Sequence, residues 1–124
     1  MIPLLPPYAA LLGLTPTPDG LVMPFTPELI GAPGRLHGGA LAGLLEMVAL
    51  RAVLANLPEG ARVKPVNVTV DYLREGQMRD TFARATILRQ GRRIANVRAE
   101  AWQEGPERPI TAARLNILIL PPAD

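Results

Sequence analysis

Residues 40–56 read Ala-Leu-Ala-Gly-Leu-Leu-Glu-Met-Val-Ala-Leu-Arg-Ala-Val-Leu-Ala-Asn. The Ala and Leu content favours helix, and Pro58 and Gly60 provide the stop. This run is apolar on nearly all sides, so the helix it forms must be surrounded by other protein. It also holds Glu46 and Arg51 and is shorter than the roughly 20 residues a membrane span needs. The rest of the chain therefore has to supply its cover.

After residue 60 the pattern changes to a period of two. In Val63–Arg74, Val66, Val68, Val70 and Tyr72 alternate with Asn67, Thr69, Asp71 and Leu73, as in a half-buried strand. Phe82–Arg89 reads as a second strand, and Gln90-Gly91 as a turn into a third, Arg92–Gln103. There Ala95, Val97, Ala99 and Ala101 make one face, small enough for a helix to approach closely. Gly105-Pro106 turns the chain into the last strand, Ile110–Leu120. Upstream, residues 1–36 are rich in proline and glycine. They offer a short helix at Tyr8–Leu12 stopped by Gly13, a short strand at Leu21–Phe25 and an ordered loop at Pro27–Leu36. Tight turns between strands imply an antiparallel sheet. An α+β fold with such a sheet wrapped round the one apolar helix is the economical architecture. At 124 residues, with no repeat and no linker, residues 1–124 are expected to make a single domain.

The menu of side-chain chemistry is short. The sequence contains no cysteine and no serine, which excludes disulfides, Cys-ligated metals and Ser or Cys nucleophiles. A single histidine, His37, excludes multi-His zinc or iron sites. Of 13 basic residues, 12 are arginine, yet the net charge is only +2 and acids are spread along the chain, so no nucleic-acid partner is expected. Neither a secretory signal nor a membrane span is expected, and the chain reads as cytoplasmic.

Glu46 sits among Leu44, Leu45, Met47 and Val48, where a carboxylate has no obvious solvent face. An unpaired buried carboxylate costs several kcal/mol. Either it pairs with an arginine at the core edge or it is a general base or nucleophile. Arg51, five residues on, is badly spaced as a helical partner. Ahead of the helix stands His37-Gly38-Gly39. Gly38 and Gly39 fall in the first turn, where backbone N–H groups lack intrahelical partners and the helix dipole is positive. This is a candidate oxyanion hole, the alternative being a flexible cap; His37 alone reads equally as a capping or core histidine. Gly38 and Glu46 are eight residues apart, about 12 Å of helix rise, more than a glutamate side chain spans. Two antiparallel helices of a homodimer would bring each N-terminus to the other's glutamate.

With Gly31…Gly34…Leu36-His37-Gly38-Gly39-Ala40, an acid nine residues after the histidine, Val70-Asp71-Tyr72-Leu73-Arg74 and Arg89-Gln90-Gly91-Arg92-Arg93, the chain resembles the hotdog-fold acyl-CoA thioesterases of the phenylacetate-degradation (PaaI-like) type over nearly its whole length. The resemblance implies a hotdog fold, a five- or six-stranded antiparallel sheet around a long central helix, assembled as homodimers or dimers of dimers. It implies Glu46 as the catalytic acid, Gly38 as the amide polarising the thioester carbonyl and His37 as a residue holding the carbonyl side. Gly39 belongs to the same turn and is counted with the substrate-binding residues. Tyr72, Leu73, Arg74, Arg89, Gly91, Arg92 and Arg93 match segments that contact the pantetheine and phosphates of coenzyme A; for the arginine turn the alternative is a solvated hairpin end. No cofactor or metal is implied, since coenzyme A belongs to the substrate. Two positions depart from the pattern: Gly31 stands where family members often carry asparagine, and Pro65 where many carry Ser or Thr. Asn67 and Thr69 are the nearby polar candidates to compensate. The expected activity is hydrolysis of an aryl- or medium-chain acyl-CoA. The alternatives are a noncatalytic acyl-CoA-binding protein and a hotdog dehydratase or hydratase.

Overall fold

The computed structural model describes residues 5–122. Helix α1 (Pro7–Leu11) begins on a proline and ends before Gly13, whose φ of +71° is the left-handed conformation that stops a helix. Strands β1 (Thr15–Pro16) and β2 (Leu21–Met23) form a short hairpin, followed by a 3-10 turn at Pro27–Leu29. Helix α2 (Gly38–Leu54) then runs through the centre. The remaining chain is four long strands, β3 (Arg62–Tyr72), β4 (Thr81–Gln90), β5 (Ile94–Trp102) and β6 (Pro109–Leu120). They make one six-stranded sheet in the order β1-β2-β4-β5-β6-β3, antiparallel throughout. β1 is the strand that periodicity missed: two residues, one a proline, carry no alternation.

The core lies between α2 and the concave face of the sheet. Leu44, Leu45, Met47, Ala49 and Val53 of α2 are buried against Ala83, Ala95, Val97, Ala99, Ala101, Leu115 and Ile117. The alanines of β5 keep the sheet thin where the helix crosses it, so volume lost on one side is filled from the other. Truncating Leu44 or Leu45 to alanine would cost about 2–5 kcal/mol by the usual cavity rule. Gly43 is buried on the opposite side of α2 from the sheet, beneath Tyr8. A Cβ there would lie 2.7 Å from the Tyr8 ring, so glycine is what lets that ring lie against α2.

Strand β3 closes one edge of the sheet and is mostly exposed. Its register shifts between Pro65 and Asn67, a bulge at Val66. Val68, Val70 and Tyr72 pair with Leu115, Ala113 and Thr111 on the helix side, whereas the alternation read from sequence had placed Val66 with them. Asn67 and Thr69 pair with Asn116 and Arg114 on the outer face, and Asn67 Oδ1 accepts from Asn116 Nδ2 at 2.8 Å. Neither side chain is on the side of α2, so neither compensates for Pro65. No helix among the described residues is long and apolar enough to cross a membrane, and none of their His, Asp and Glu side chains cluster to hold a metal ion.

Candidate active site

The start of α2 is flanked by two side chains that each lie close to a glycine. His37 is the N-cap, and its Nδ1 accepts the Gly39 N–H at 2.8 Å. With Nδ1 accepting, the neutral ring carries its hydrogen on Nε2. A Cβ at Gly39 would lie 2.9 Å from the imidazole, so glycine there is what lets the histidine fold back. On the other flank the Tyr72 hydroxyl donates to the Gly38 carbonyl at 3.0 Å, and a Cβ on Gly38 would crowd that ring at 3.1 Å. The two readings of His37 thus meet: it is a capping histidine, and it stands at the mouth of the site.

Capping divides the work between the two glycine amides. The Gly39 N–H, expected to be free, is held by His37. Among the hydrogen bonds of the described residues none uses the Gly38 N–H. That donor points out of the positive end of a 17-residue helix, the arrangement that stabilises an oxyanion.

Glu46 lies on the partly exposed stripe of α2 that also carries Gly39 and Ala42, and it is half-buried. Among the described residues it makes no ion pair and accepts no hydrogen bond. The alternative of an arginine partner fails for Arg51, whose guanidinium donates to the Gly20 carbonyl at 3.1 Å. In one chain Glu46 lines neither of the cavities at the helix N-terminus.

Those two cavities flank the His37-Gly38-Gly39 turn. One, of about 340 Å³, brings together Gly38, Tyr72, Leu73 and Arg74, with the Arg35–Glu75 ion pair (2.6 Å) at its rim. The Arg74 guanidinium is already bonded to the Pro109 carbonyl. The other, of about 390 Å³, is bordered by His37, Gly39 and residues of α1, among them Tyr8. Sequence reasoning missed Tyr8. The available signal was Gly43, since a glycine inside a helix costs about 1 kcal/mol relative to alanine and is kept for a close approach.

Arg89, Gly91, Arg92 and Arg93 are not brought to this end. The register puts Ile94 beside Leu118 and Arg62 beside Leu120, whereas Tyr72 faces Thr111 at the opposite end of the same strands. Arg92 and Arg93 instead border a cavity of about 520 Å³ with Leu57, Pro58 and Pro121 near the C-terminal end of α2. Arg89 faces out beside Asn96. The departure at Gly31 also has a geometric side: a Cβ there would lie 2.8 Å from the His37 Cα, so the turn as folded has no room for a side chain.

The sequence profile of the acyl-CoA thioesterase N-terminal domain matches residues 26–118. The chain belongs to the acyl-CoA thioesterase family. Solved structures agree in fold. The phenylacetic acid degradation-related protein of Ralstonia eutropha JMP134 is 27% identical with a TM-score of 0.83, over 91% of this chain and 89% of its own. A thioesterase family protein of Silicibacter pomeroyi is 26% identical with a TM-score of 0.80, over 93% of this chain and 90% of its own. A Bacillus halodurans protein solved with CoA is 20% identical and shares the fold, with a TM-score of 0.83 over 91% of this chain and 75% of its own. A comparison with curated proteins gives no match. The hotdog fold and the PaaI-like type expected from the motifs are therefore correct, and the chain is a thioester hydrolase by family.

Proposed function

We propose that this thioesterase hydrolyses an aryl- or medium-chain acyl-CoA at two equivalent sites between the copies of a homodimer. One observation carries the reading: a carboxylate without a partner among the described residues, Glu46, and an unused amide donor, Gly38 N–H, lie on one helix but about 12 Å apart in rise. One chain cannot apply both to one carbonyl. A second copy, with its α2 antiparallel, can.

The open edge supports that assembly. β3 has no neighbour on one side, and Val66 (53% exposed) and Val68 (36%) lie along it. An unpaired edge strand with exposed valines leaves backbone N–H and C=O groups that another strand can pair with. Adding a second β3 antiparallel extends the sheet, reverses the partner's α2, and turns each Arg89–Arg93 hairpin toward the end where the other copy's Gly38 lies. The arginines would then be available to the phosphates of a coenzyme A held across the interface. The CoA-bound Bacillus relative is consistent with such a ligand.

In the reaction, the thioester carbonyl oxygen accepts the Gly38 N–H. Glu46 takes a proton from water, and the hydroxide oxygen adds to the carbonyl carbon. The charge developing on oxygen is stabilised by the amide and helix dipole, one such donor being worth about 3–4 kcal/mol. Collapse breaks the C–S bond, and the CoA thiolate leaves and takes up the proton. Alternatively, Glu46 attacks directly, giving an anhydride that water then opens. A single turnover in labelled water distinguishes them, because label enters the Glu46 carboxylate only by the second route.

The departures at Gly31 and Pro65 favour a second reading, a noncatalytic acyl-CoA-binding protein. Thiol release on a panel of acyl-CoAs, with mass measured by light scattering at assay concentration, decides between them. The proposal expects thiol release from a species of at least two copies. Binding without release supports the second reading, and turnover by a strict monomer contradicts the shared site.

A further inference from the structure

The two cavities beside the helix N-terminus differ in chemistry. The one at Gly38 is edged by Arg35, Arg74 and Glu75. The one on the α1 side is walled by Tyr8, Leu11, Leu12, Leu29 and Ala40, with Glu28 as its only acid and no lysine or arginine. Leu11 is 79% exposed and Tyr8 40% exposed. The Tyr8 ring occupies the space that a side chain at position 43 would fill, so α1 and the glycine together make the wall.

We propose that this second cavity receives the acyl group and that Tyr8 and Leu11 set its selectivity for apolar, uncharged acyl chains. The inference rests on the thioesterase reading and adds the acyl subsite and the residues that select its occupant. A carbonyl held at the Gly38 amide sits on the ridge between the cavities, so the two substituents of the thioester fall on opposite sides. The charged side suits the polar pantetheine arm, and the leucine-lined side suits hydrocarbon. The exposed Leu11 and Tyr8 would be covered by substrate, which offsets the cost of leaving them in water. An acyl group ending in a carboxylate would meet Glu28 and find no lysine or arginine to pair with.

The test measures dissociation constants by calorimetry for octanoyl-CoA, acetyl-CoA and succinyl-CoA on the wild-type protein, Tyr8→Ala and Leu11→Arg, with thiol release followed in parallel. Leu11 is exposed on α1, so its replacement leaves the packing in place, and Tyr8→Ala, whose ring lies over Gly43, is compared with wild type at matched denaturation midpoint. Wild type is expected to prefer octanoyl-CoA to acetyl-CoA and succinyl-CoA by at least tenfold. Tyr8→Ala should reduce the octanoyl-to-acetyl ratio by about tenfold, and Leu11→Arg should raise the succinyl-to-octanoyl ratio by a similar factor. Ratios unchanged within twofold in both variants overturn the acyl subsite, whatever the turnover. Ratios that change while no protein releases thiol uphold the subsite and overturn the hydrolytic reading instead.

Discussion

The Tyr72 hydroxyl donates to the Gly38 carbonyl across 3.0 Å, tying the edge strand to the first turn of the buried helix. The same peptide segment carries the Gly38 N–H that the mechanism needs as an oxyanion donor. A residue expected to touch coenzyme A therefore also positions the amide beside it. Replacing it by phenylalanine keeps the ring over Gly38 and removes only the bond. Tyr72→Phe is expected to lose about 1 kcal/mol of stability in urea denaturation. It should also lower kcat several-fold with little change in KM, because in the proposed mechanism the amide it positions acts in the transition state.

His37 and Gly39 act as one unit, since the imidazole accepts the Gly39 N–H and a methyl at 39 would lie 2.9 Å from the ring. His37→Ala removes an N-cap and should cost about 1 kcal/mol. Gly39→Ala displaces the same ring and should cost a similar amount. Because both changes break one interaction, the double variant is expected to cost clearly less than the two together. Denaturation of all four proteins closes the cycle.

Gln103, 9% exposed, holds the chain between β3 and β4 in place. Its Oε1 accepts the Gln77 N–H at 2.9 Å, and its Nε2 donates to the Gln77 carbonyl at 2.8 Å and to Thr81 Oγ1 at 3.1 Å. This segment includes Gly76, whose carbonyl accepts the Leu36 N–H at 2.9 Å just before the His-Gly-Gly turn. Gln103→Leu leaves these groups unpaired and should cost about 2–3 kcal/mol, measured by denaturation. Hydrogen exchange should rise at Gln77 ahead of the strands.

Thr111 is fully buried opposite Tyr72, and its hydroxyl has no partner among the described residues. Valine has nearly the same shape without the unpaired donor. Thr111→Val is therefore expected to raise stability by about 1 kcal/mol, seen as a higher denaturation midpoint at unchanged slope.

Much of the fold was legible because it rests on periodicity. The Ala95–Val97–Ala99–Ala101 face is buried as read, and α1 and α2 fall within two residues of their expected ends. What escaped are features that depend on pairing. The Val66 bulge reverses the faces of the following residues, and no propensity of Val66 or Asn67 announces it. Of the candidate site, the part legible in the sequence is the one a single segment builds, the His37-Gly38-Gly39 turn at the start of α2. The part where distant segments meet is not: Tyr8 reaches α2 only through the Gly43 gap, and the Arg89–Arg93 turn lies at the far end of the strands from Gly38.

In the proposed mechanism Glu46 carries the chemistry. Glu46→Gln preserves size and removes the base, and thiol release from octanoyl-CoA is measured for this variant beside wild type at equal denaturation midpoint. A loss of at least a thousandfold in kcat is expected, with acyl-CoA binding retained. Turnover within a few-fold of wild type would mean that Glu46 is not the base.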